Sequence, residues 1–247
     1  MNKIIILLAE QGLSEQVRTL CIAVAAMVAL LFSLWYGTKM KMKIGQIVVF
    51  MLIAYPLDFL LLEFSMRITS WIASNHFFGI QTIVNSQSKT FVVIPLVALL
   101  VAKVIRVPWK YTADLLAIAN LINYAICSLG CLFTGCCIGY PCFWGLYSPA
   151  TNEKVFPIQI VNTVIMLVIS ILLIYRAYKR QYIPDGKQFP IMLSSFGLTR
   201  FLSEFFMDNE KIALGCSTVS LHGLFMCVVG ITALMIIQYK TKQKSLS

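Results

Sequence analysis

The sequence predicts an all-α, polytopic membrane protein with about seven transmembrane helices. Three observations lead to this prediction: an apolar composition, a series of long apolar segments, and an alternation of basic loops. Hydrophobic residues make up 59% of the 247 positions and charged residues only 12%. Such a chain is too apolar for one soluble core and is typical of a multispanning membrane protein. We expect a single transmembrane domain over residues 1–247.

Seven apolar segments are long enough, or nearly long enough, to cross a bilayer. A spanning helix needs about 20 residues for a hydrocarbon core of about 30 Å. The third and sixth segments are shorter or are interrupted by polar groups. The segments lie at residues 17–36, 44–64, 90–106, 112–133, 155–176, 189–207 and 216–239.

Lys and Arg predict the orientation of these segments. They are concentrated at residues 36–44, 103–111 and 176–188 and in the tail after residue 239, whereas the intervening loops hold one or two each. The positive-inside rule places the basic loops in the cytoplasm. The N-terminus is then outside and the C-terminus cytoplasmic, which requires an odd number of spans. The formal net charge of +10 therefore indicates anionic lipid headgroups rather than nucleic acid.

The first two spans and the loop after them carry few polar residues. Residues 17–36 are expected to form a retained membrane anchor, and Asp58 in the second span is interpreted as a polar contact between helices. Residues 68–89 form an outer loop of amphipathic character, for which we expect a re-entrant or interfacial helix with His76 at headgroup level. Pro95 is expected to kink the third span.

The fourth span begins with a carboxylate and continues with small and polar residues. Asp114 lies just inside the helix start, where it is expected to cap its own helix and interact with the helix dipole. Asn120, Asn123, Ser128 and Gly130 follow. Small residues let helix backbones approach closely, so this span is expected to lie inside the bundle.

Residues 130–159 contain groups that a lipid-facing helix does not need. Cys136, Cys137 and Cys142 occur there among several glycines. Non-helical backbone near the membrane is tolerated where it packs against protein or lines a cavity, so we expect a re-entrant or interfacial element over about 134–154 that forms a pocket. The cysteine spacing is a weak zinc signature, and we expect no metal. The sequence is compatible with two redox states of these cysteines: a disulfide that involves Cys142, or three reduced thiols.

Polar residues also mark the last three spans. Gln159 and Asn162 share one face of the fifth span, three residues apart. Arg200 and Glu204 lie four residues apart in the sixth span, which predicts an ion pair within the membrane. Such a pair indicates either a functional site or a structural contact. His222 lies near the start of the seventh span.

These features resemble the prolipoprotein diacylglyceryl transferase family. The residues that carry the resemblance are the glycine- and cysteine-rich segment 130–141, Trp144-Gly145, the helix start at 156–159, and Arg200-Phe201 with Glu204-Phe205. The similarity covers residues 90–239 well and the first two spans weakly. It implies an enzyme of the bacterial cytoplasmic (inner) membrane that moves the diacylglyceryl group of phosphatidylglycerol onto the lipobox cysteine thiol of a prolipoprotein.

The resemblance also implies the site residues and partners. Arg200 and Glu204 match the family's essential Arg and its Glu partner, and we expect them to be catalytic. Phosphatidylglycerol and the prolipoprotein signal peptide are the expected partners of a multi-pass monomer that needs no cofactor. The candidate substrate-binding residues are Gly135, Cys136, Gly139, Gln159, Ser128 and Lys89.

Two positions differ from the family pattern. Cys127-Ser128 stands where the family signature has Gly-Arg, and residues 85–89 contain no His where a His-Gly motif is expected. In this chain Arg200 would supply the cation near the phosphate, with Lys89 as a substitute second cation and His76 or His222 in place of a base. The alternative function is a catalytically inactive lipid-binding membrane protein of the same fold. A transporter is disfavoured because the chain lacks internal repeats.

Overall fold

The computed structural model describes residues 1–74, 93–208 and 217–246, and most of these residues are helical. One short 3₁₀ turn at Glu204–Phe206 follows the seventh of the helices below. The elements in chain order are α1 Asn2–Glu10, α2 Ser14–Lys39, α3 Ile44–Ser74, α4 Ile94–Ile105, α5 Trp109–Thr134, β1 Pro141–Ser148, β2 Glu153–Val155, α6 Ile158–Lys179, α7 Gln188–Ser203 and α8 Thr218–Leu246.

Each of the seven predicted apolar segments overlaps one of the helices α2 to α8. Within the described residues, five helices are long and apolar enough to cross a membrane: α2, the first 18 residues of α3, α5, α6 and α8. The helix α4 has 12 residues and α7 has 16. Large apolar side chains on α6 point outward, among them Ile171 and Leu172, as contact with lipid requires. The helical membrane class is therefore confirmed, while seven crossings and their orientation remain predictions.

The helix α5 occupies the centre of the bundle, and it packs against α2, α4, α6 and α7. Small residues on it, including Ala113, Ala117 and Ala125, are fully buried. Because small side chains allow close approach of neighbouring backbones, α5 can be surrounded on all sides. The prediction that the fourth span lies inside the bundle is confirmed.

The helices α7 and α8 pack closely through three glycines. A Cβ on Gly197 would lie 2.5 Å from the Gly223 carbonyl oxygen, and a Cβ on Gly223 would lie 2.8 Å from the Gly197 carbonyl oxygen. A Cβ on Gly230 would lie 2.7 Å from the backbone nitrogen of Ser194. Any side chain at these positions would push the two helices apart. This contact fixes the C-terminal turn of α7 against the start of α8.

Asp114 caps a different helix from the one that the sequence predicts. Its carboxylate accepts hydrogen bonds from the backbone N–H groups of Asp185 and Gly186, both at 3.1 Å, and of Gln188, at 3.1 Å. These groups lie at the N-terminal end of α7, where backbone donors lack partners within the helix. The expected cap of its own helix is wrong, because a long-range contact supplies the buried carboxylate with more donors than its own first turn does.

Residues 141–155 form a β-hairpin, so the chain is not purely α-helical. Strands β1 and β2 pair antiparallel, with a register shift between Pro141 and Leu146. The segment before β1 is attached to the end of α7: the Tyr140 N–H donates to the Phe206 carbonyl at 3.1 Å, and the Asp208 N–H donates to the Ile138 carbonyl at 3.0 Å. The hairpin is therefore joined to the turn that carries Glu204.

Two smaller predictions differ from the structure. Pro95 lies in the first turn of α4, where its missing N–H has no partner to lose, so it does not kink the helix. The helix α3 continues to Ser74, so the predicted outer loop at 68–89 begins later than expected. Its remainder, with His76 and Lys89, lies outside the described residues.

Candidate functional site

A buried ion pair lies where α7 ends. The Arg200 Nη2 atom donates to Glu204 Oε1 at 2.7 Å, and both side chains are almost fully buried. Arg200 lies in the last turn of α7, and Glu204 begins the 3₁₀ turn that follows. Residues four apart on a helical stretch face the same side, which explains how the sequence brings the two groups together.

Ser217 holds the second carboxylate oxygen of Glu204. Its hydroxyl donates to Glu204 Oε2 at 2.9 Å and accepts from the Ser220 N–H at 3.1 Å. Ser217 therefore caps α8 and fixes the carboxylate at the same time. The sequence reasoning missed this residue, although a serine just before a long apolar run is a recognisable helix start.

The opposite side of Arg200 faces α5. The Tyr124 phenol and the Cys137 thiol both lie near the guanidinium. Tyr124 is in turn held by an edge-to-face contact with Phe196, with ring centroids 4.9 Å apart. The buried Arg200 Nε has no hydrogen-bond partner among the residues that the structure describes. A buried donor without an acceptor costs about 1–3 kcal/mol, so this group is suited to an added acceptor.

Gln159 joins the glycine- and cysteine-rich segment to α6. Its amide Nε2 donates to the carbonyl oxygens of Cys136 and Cys137, both at 2.9 Å. Its own backbone carbonyl accepts from the hydroxyls of Ser128 at 3.2 Å and Thr163 at 2.9 Å. Ser128 therefore connects α5 to α6. The side-chain amide of Gln159 therefore holds two backbone carbonyl groups of the glycine- and cysteine-rich segment.

Two glycines shape the same segment. Gly135 ends α5 in the left-handed conformation, with φ of +70°, and a Cβ there would lie 2.9 Å from Ala150. A Cβ on Gly139 would lie 2.3 Å from the Phe156 carbonyl oxygen. Both positions therefore require glycine because of space, and Gly135 also because of its backbone conformation.

The seven cysteines within the described residues are free thiols. Cys142 is not paired with Cys136 or Cys137 in the structure. The Thr134 hydroxyl lies 3.6 Å from Cys136 Sγ. Hydrogen bonds from Cys131, Cys137 and Thr134 lower the pKa of the Cys136 thiol, while its burial acts to raise it. Over the described ranges, no group of three His, Cys, Asp or Glu side chains is arranged to hold a metal ion.

An apolar groove runs along α6 and α7 beside the ion pair. Its volume is about 510 Å³. Thr199 and Ser203, which flank Arg200 along α7, both face it, and Phe156 and Phe206 stack at its end with ring centroids 5.1 Å apart. The full lining consists of Phe156, Ile158, Val161, Ile165, Ile169, Ser195, Leu198, Thr199, Leu202, Ser203 and Phe206.

The predicted site residues form two groups that meet at the ends of α5, α6 and α7. Arg200 and Glu204 form one group on α7 and the turn after it. The Ser203 hydroxyl donates to Asn162 Oδ1 at 2.6 Å, which connects α7 to α6 one turn from Gln159. Lys89 lies outside the described residues. The second group, around the end of α5 and the start of α6, consists of Ser128, Gly135, Cys136, Gly139 and Gln159.

His222, a candidate for the base, lies on a different helix from the ion pair. His222 lies in the first turns of α8 and is partly buried. Its neighbour Gly223 is the residue that contacts α7, and a Cβ on Gly223 would lie 3.3 Å from the Arg200 Cβ. His222 is therefore on the helix that supports Arg200, whereas His76 lies outside the described residues.

Comparisons with known proteins identify the family to which the chain is similar. Residues 16–237 match the family model described as prolipoprotein diacylglyceryl transferase. Two relatives from strains of Dehalococcoides mccartyi, each named phosphatidylglycerol–prolipoprotein diacylglyceryl transferase, are 28% identical over 141 residues. A protein of the same name from a third strain is 26% identical over 141 residues. These alignments cover 54% of this chain and 54% of each relative; the matched region thus spans about half the length of those proteins.

Proposed function

Because the chain belongs to the prolipoprotein diacylglyceryl transferase family, we propose that it transfers the diacylglyceryl group of phosphatidylglycerol to the lipobox cysteine thiol of a prolipoprotein. The family is one of membrane transferases that act in lipoprotein biosynthesis. Arg200 binds the phosphate of the lipid, and Glu204 orients Arg200.

The observation that carries this proposal is the buried, partly satisfied guanidinium of Arg200. Glu204 occupies Nη2, while Nε has no partner among the described residues. A guanidinium is planar and always charged, so fixing one of its edges also fixes the direction of the remaining donors. A phosphate oxygen is an acceptor that suits such a donor, and a charge-assisted hydrogen bond in a dry site is strong.

The groove along α6 and α7 supports a lipid rather than a soluble phosphate. Apart from Ser195, Thr199 and Ser203, its lining is apolar. A volume of about 510 Å³ lies within the range of about 300–1,000 Å³ that small-molecule sites occupy. An acyl chain in the groove would place the glycerol end near Arg200, since Thr199 and Ser203 lie on either side of it.

The reaction requires a new C–S bond and the loss of a phosphate ester. The prolipoprotein thiolate attacks the glycerol carbon of the lipid, the C–O bond to the phosphate breaks, and glycerol phosphate leaves. Negative charge increases on the leaving phosphate oxygen during this step. Arg200 stabilises that charge, and Glu204 and Ser217 keep the guanidinium in place so that little reorganisation is needed.

The same proposal includes the membrane arrangement. Seven helices cross the bacterial cytoplasmic membrane, with the N-terminus outside and the basic C-terminus in the cytoplasm. The glycine- and cysteine-rich segment and the hairpin then face outward, where a secreted prolipoprotein presents its lipobox. Gln159 maintains the shape of this segment by binding two of its carbonyl groups. The chain acts as a monomer.

Transfer to a lipobox peptide in lipid nanodiscs tests the proposed function. The full chain is incubated with phosphatidylglycerol and peptide, and the thioether product is measured by mass spectrometry. Arg200→Ala is expected to reduce the rate at least about 100-fold, because a lost contact to transition-state charge costs about 3 kcal/mol. Arg200→Lys should retain little activity, since the planar fork is lost. Glu204→Gln should have a smaller effect.

Lys240→Ala is the control, since Lys240 is exposed near the C-terminal end of α8. It should transfer at the parent rate. Absence of transfer by the parent chain, together with Arg200-dependent binding of phosphatidylglycerol, would contradict the enzyme and support the inactive lipid-binding alternative.

A further inference from the structure

The ion pair of Arg200 and Glu204 carries almost no net charge. Its guanidinium and carboxylate are both nearly buried and lie 2.7 Å apart, so the negative charge of Glu204 compensates the positive charge of Arg200. A phospholipid phosphate adds one negative charge to this site. A charge that is removed from water is costly unless an opposite charge lies close to it. A phosphate at Arg200 therefore requires a second cation nearby.

Arg18 is a cation that α2 places against the last turns of α5. The helix α2 packs along α5, and Gly130 lies at their contact. A Cβ on Gly130 would lie 3.1 Å from the Cys21 Cβ and 3.4 Å from both the Cα and the Cγ of Arg18. Because Gly130 has no side chain, the aliphatic part of Arg18 packs directly on α5. Its guanidinium therefore lies at the end of α5 that continues into the glycine- and cysteine-rich segment.

Arg18 and Arg200 approach the same part of that segment from different helices. Arg18 lies near the Cys136 thiol, and Arg200 lies near the Cys137 thiol. The Cα atoms of two adjacent residues are only about 3.8 Å apart. Residues 136–137 therefore have one arginine from α2 and one from α7 beside them.

Arg18 is accessible, and its partner in the protein is easily replaced. Its side chain is 44% exposed, and its Nη2 atom lies 2.8 Å from Oε2 of Glu15, whose side chain is 66% exposed. Exposed ion pairs contribute little to stability because water and salt screen both charges. Arg18 can therefore exchange Glu15 for another anion, whereas Arg200 is fixed by a buried partner.

We propose that Arg18 is a second phosphate-binding residue of the site and selects phospholipids with net negative charge; this inference rests on the proposed binding of a lipid phosphate by Arg200. In the lipid-bound state the Arg18 guanidinium leaves Glu15 and donates to an oxygen of the phosphate. A phosphatidylglycerol headgroup has no cation of its own, so Arg18 supplies the positive charge. A phosphatidylcholine headgroup carries an ammonium group, which already balances its phosphate and is repelled by Arg18.

Competition between two lipids tests this proposal. The full chain is placed in nanodiscs with equal amounts of phosphatidylglycerol and phosphatidylcholine, and native mass spectrometry of the released protein counts the lipids that it retains. The parent and Lys240→Ala are expected to retain mainly phosphatidylglycerol. Arg18→Gln should lower the ratio of phosphatidylglycerol to phosphatidylcholine several-fold, because the charge is lost. Arg18→Lys keeps the charge but not the planar fork, and it should give an intermediate ratio.

Glu15→Gln separates phosphate binding from a merely structural ion pair. It removes the competing carboxylate and should raise the ratio above that of the parent, whereas Arg18→Gln lowers it. Both variants break the same ion pair, so a structural role alone would change the ratio in the same direction. Both should unfold at the parent's temperature, since the pair is exposed. Equal ratios for Arg18→Gln and the parent, or a fall for both variants, would overturn the proposal.

Two further comparisons identify the ligand and the step that fails. Millimolar inorganic phosphate should leave the ratio unchanged; displacement of phosphatidylglycerol would assign a site for free phosphate and overturn the proposal. A ratio that Arg200→Ala lowers but Arg18→Gln does not would contradict only the role of Arg18. A ratio that neither variant changes would also contradict the proposed lipid site. The measurement requires no transfer activity.

Discussion

At the scale of single residues, the site depends on how each polar group near Arg200 is held. Glu204 accepts from Arg200 with one oxygen and from Ser217 with the other. These two hydrogen bonds therefore fix the orientation of the Glu204 carboxylate. Ser217 performs two tasks with one hydroxyl, since it also caps α8.

Ser217→Ala is expected to lower both stability and transfer. The lost helix cap should cost about 0.5–2 kcal/mol of unfolding free energy, and the freed Glu204 oxygen should reduce the maximal rate. Denaturant unfolding and transfer kinetics measure the two effects. Ser217→Thr keeps the hydroxyl and is the matched control. Equal stability and equal rate for Ser217→Ala and the parent would contradict both roles.

The ion pair was predictable from sequence, whereas its environment was not. Arg200 and Glu204 are four residues apart in one helix, so their contact follows from helix geometry. Ser217 reaches Glu204 from another helix, and Tyr124 reaches Arg200 from α5. Such contacts between distant segments depend on how helices pack, which spacing along one segment does not reveal. Ser128 was predicted to lie at the site. Its hydrogen bond from α5 to α6 is visible only in the structure.

At the scale of elements, α7 is fixed at both ends by groups from other helices. Its N-terminal end receives the Asp114 carboxylate from α5, and its C-terminal half packs on α8 through glycines. The orientation of Arg200 depends on both contacts. The sequence predicted where α7 lies, but it assigned the Asp114 carboxylate to the wrong helix because local capping is the only kind that a single segment shows.

Asp114→Ala is expected to destabilise the chain more than Asp114→Asn. Alanine leaves three buried backbone donors without acceptors, whereas asparagine keeps one acceptor oxygen. Each unsatisfied buried donor costs about 1–3 kcal/mol. Unfolding in detergent with increasing denaturant measures the order of stability. Glu153→Ala, at an exposed position on β2, should match the parent, and equal stability of both Asp114 variants would contradict the cap.

The loop before α7 predicts a pH dependence of stability. Burial acts to raise the pKa of Asp185, but bonds and charges from Arg176, the Lys187 N–H and Arg180 hold that pKa below its usual value. A carboxylate with a lowered folded pKa contributes stability above its unfolded pKa, and this stability is lost as pH falls through the folded pKa. The parent should therefore lose stability in acid below the usual aspartate range.

Asp185→Asn removes this contribution. It should lower the unfolding free energy near neutral pH by about 1.5–3 kcal/mol, the worth of a hydrogen bond to a charged group. Thermal unfolding of parent and variant over a series of pH values is the measurement. The difference between them should shrink in acid. A difference that stays constant with pH would exclude an ionised Asp185 as its source.

At the scale of the whole molecule, composition and the positions of basic loops determine the class of the protein. Each of the seven predicted segments overlaps a helix, because long apolar runs have few alternatives in a bilayer. The hairpin at 141–155 was not predicted, since its two strands are short and show no strong alternation of apolar and polar residues. Its attachment to the turn after α7 is a tertiary contact that only the structure shows.

The orientation can be tested by labelling from one side of the membrane. Single cysteines are introduced at Glu153 or Lys39 in a variant whose native cysteines are serines; both positions are exposed. An impermeant thiol reagent applied to intact cells should label Glu153→Cys, and it should label Lys39→Cys only after lysis. The reverse pattern would contradict the proposed topology and the outward-facing site.

The central claim is that Arg200, beside the apolar groove, binds the phosphate of a phospholipid. The most direct measurement is the amount of phosphatidylglycerol retained per chain after purification, determined by native mass spectrometry. The account predicts bound phosphatidylglycerol on the parent and on Lys240→Ala, and a loss of at least about tenfold in affinity on Arg200→Ala, equivalent to one charge-assisted hydrogen bond of roughly 1.5–3 kcal/mol. Equal retention by the parent and Arg200→Ala would contradict it.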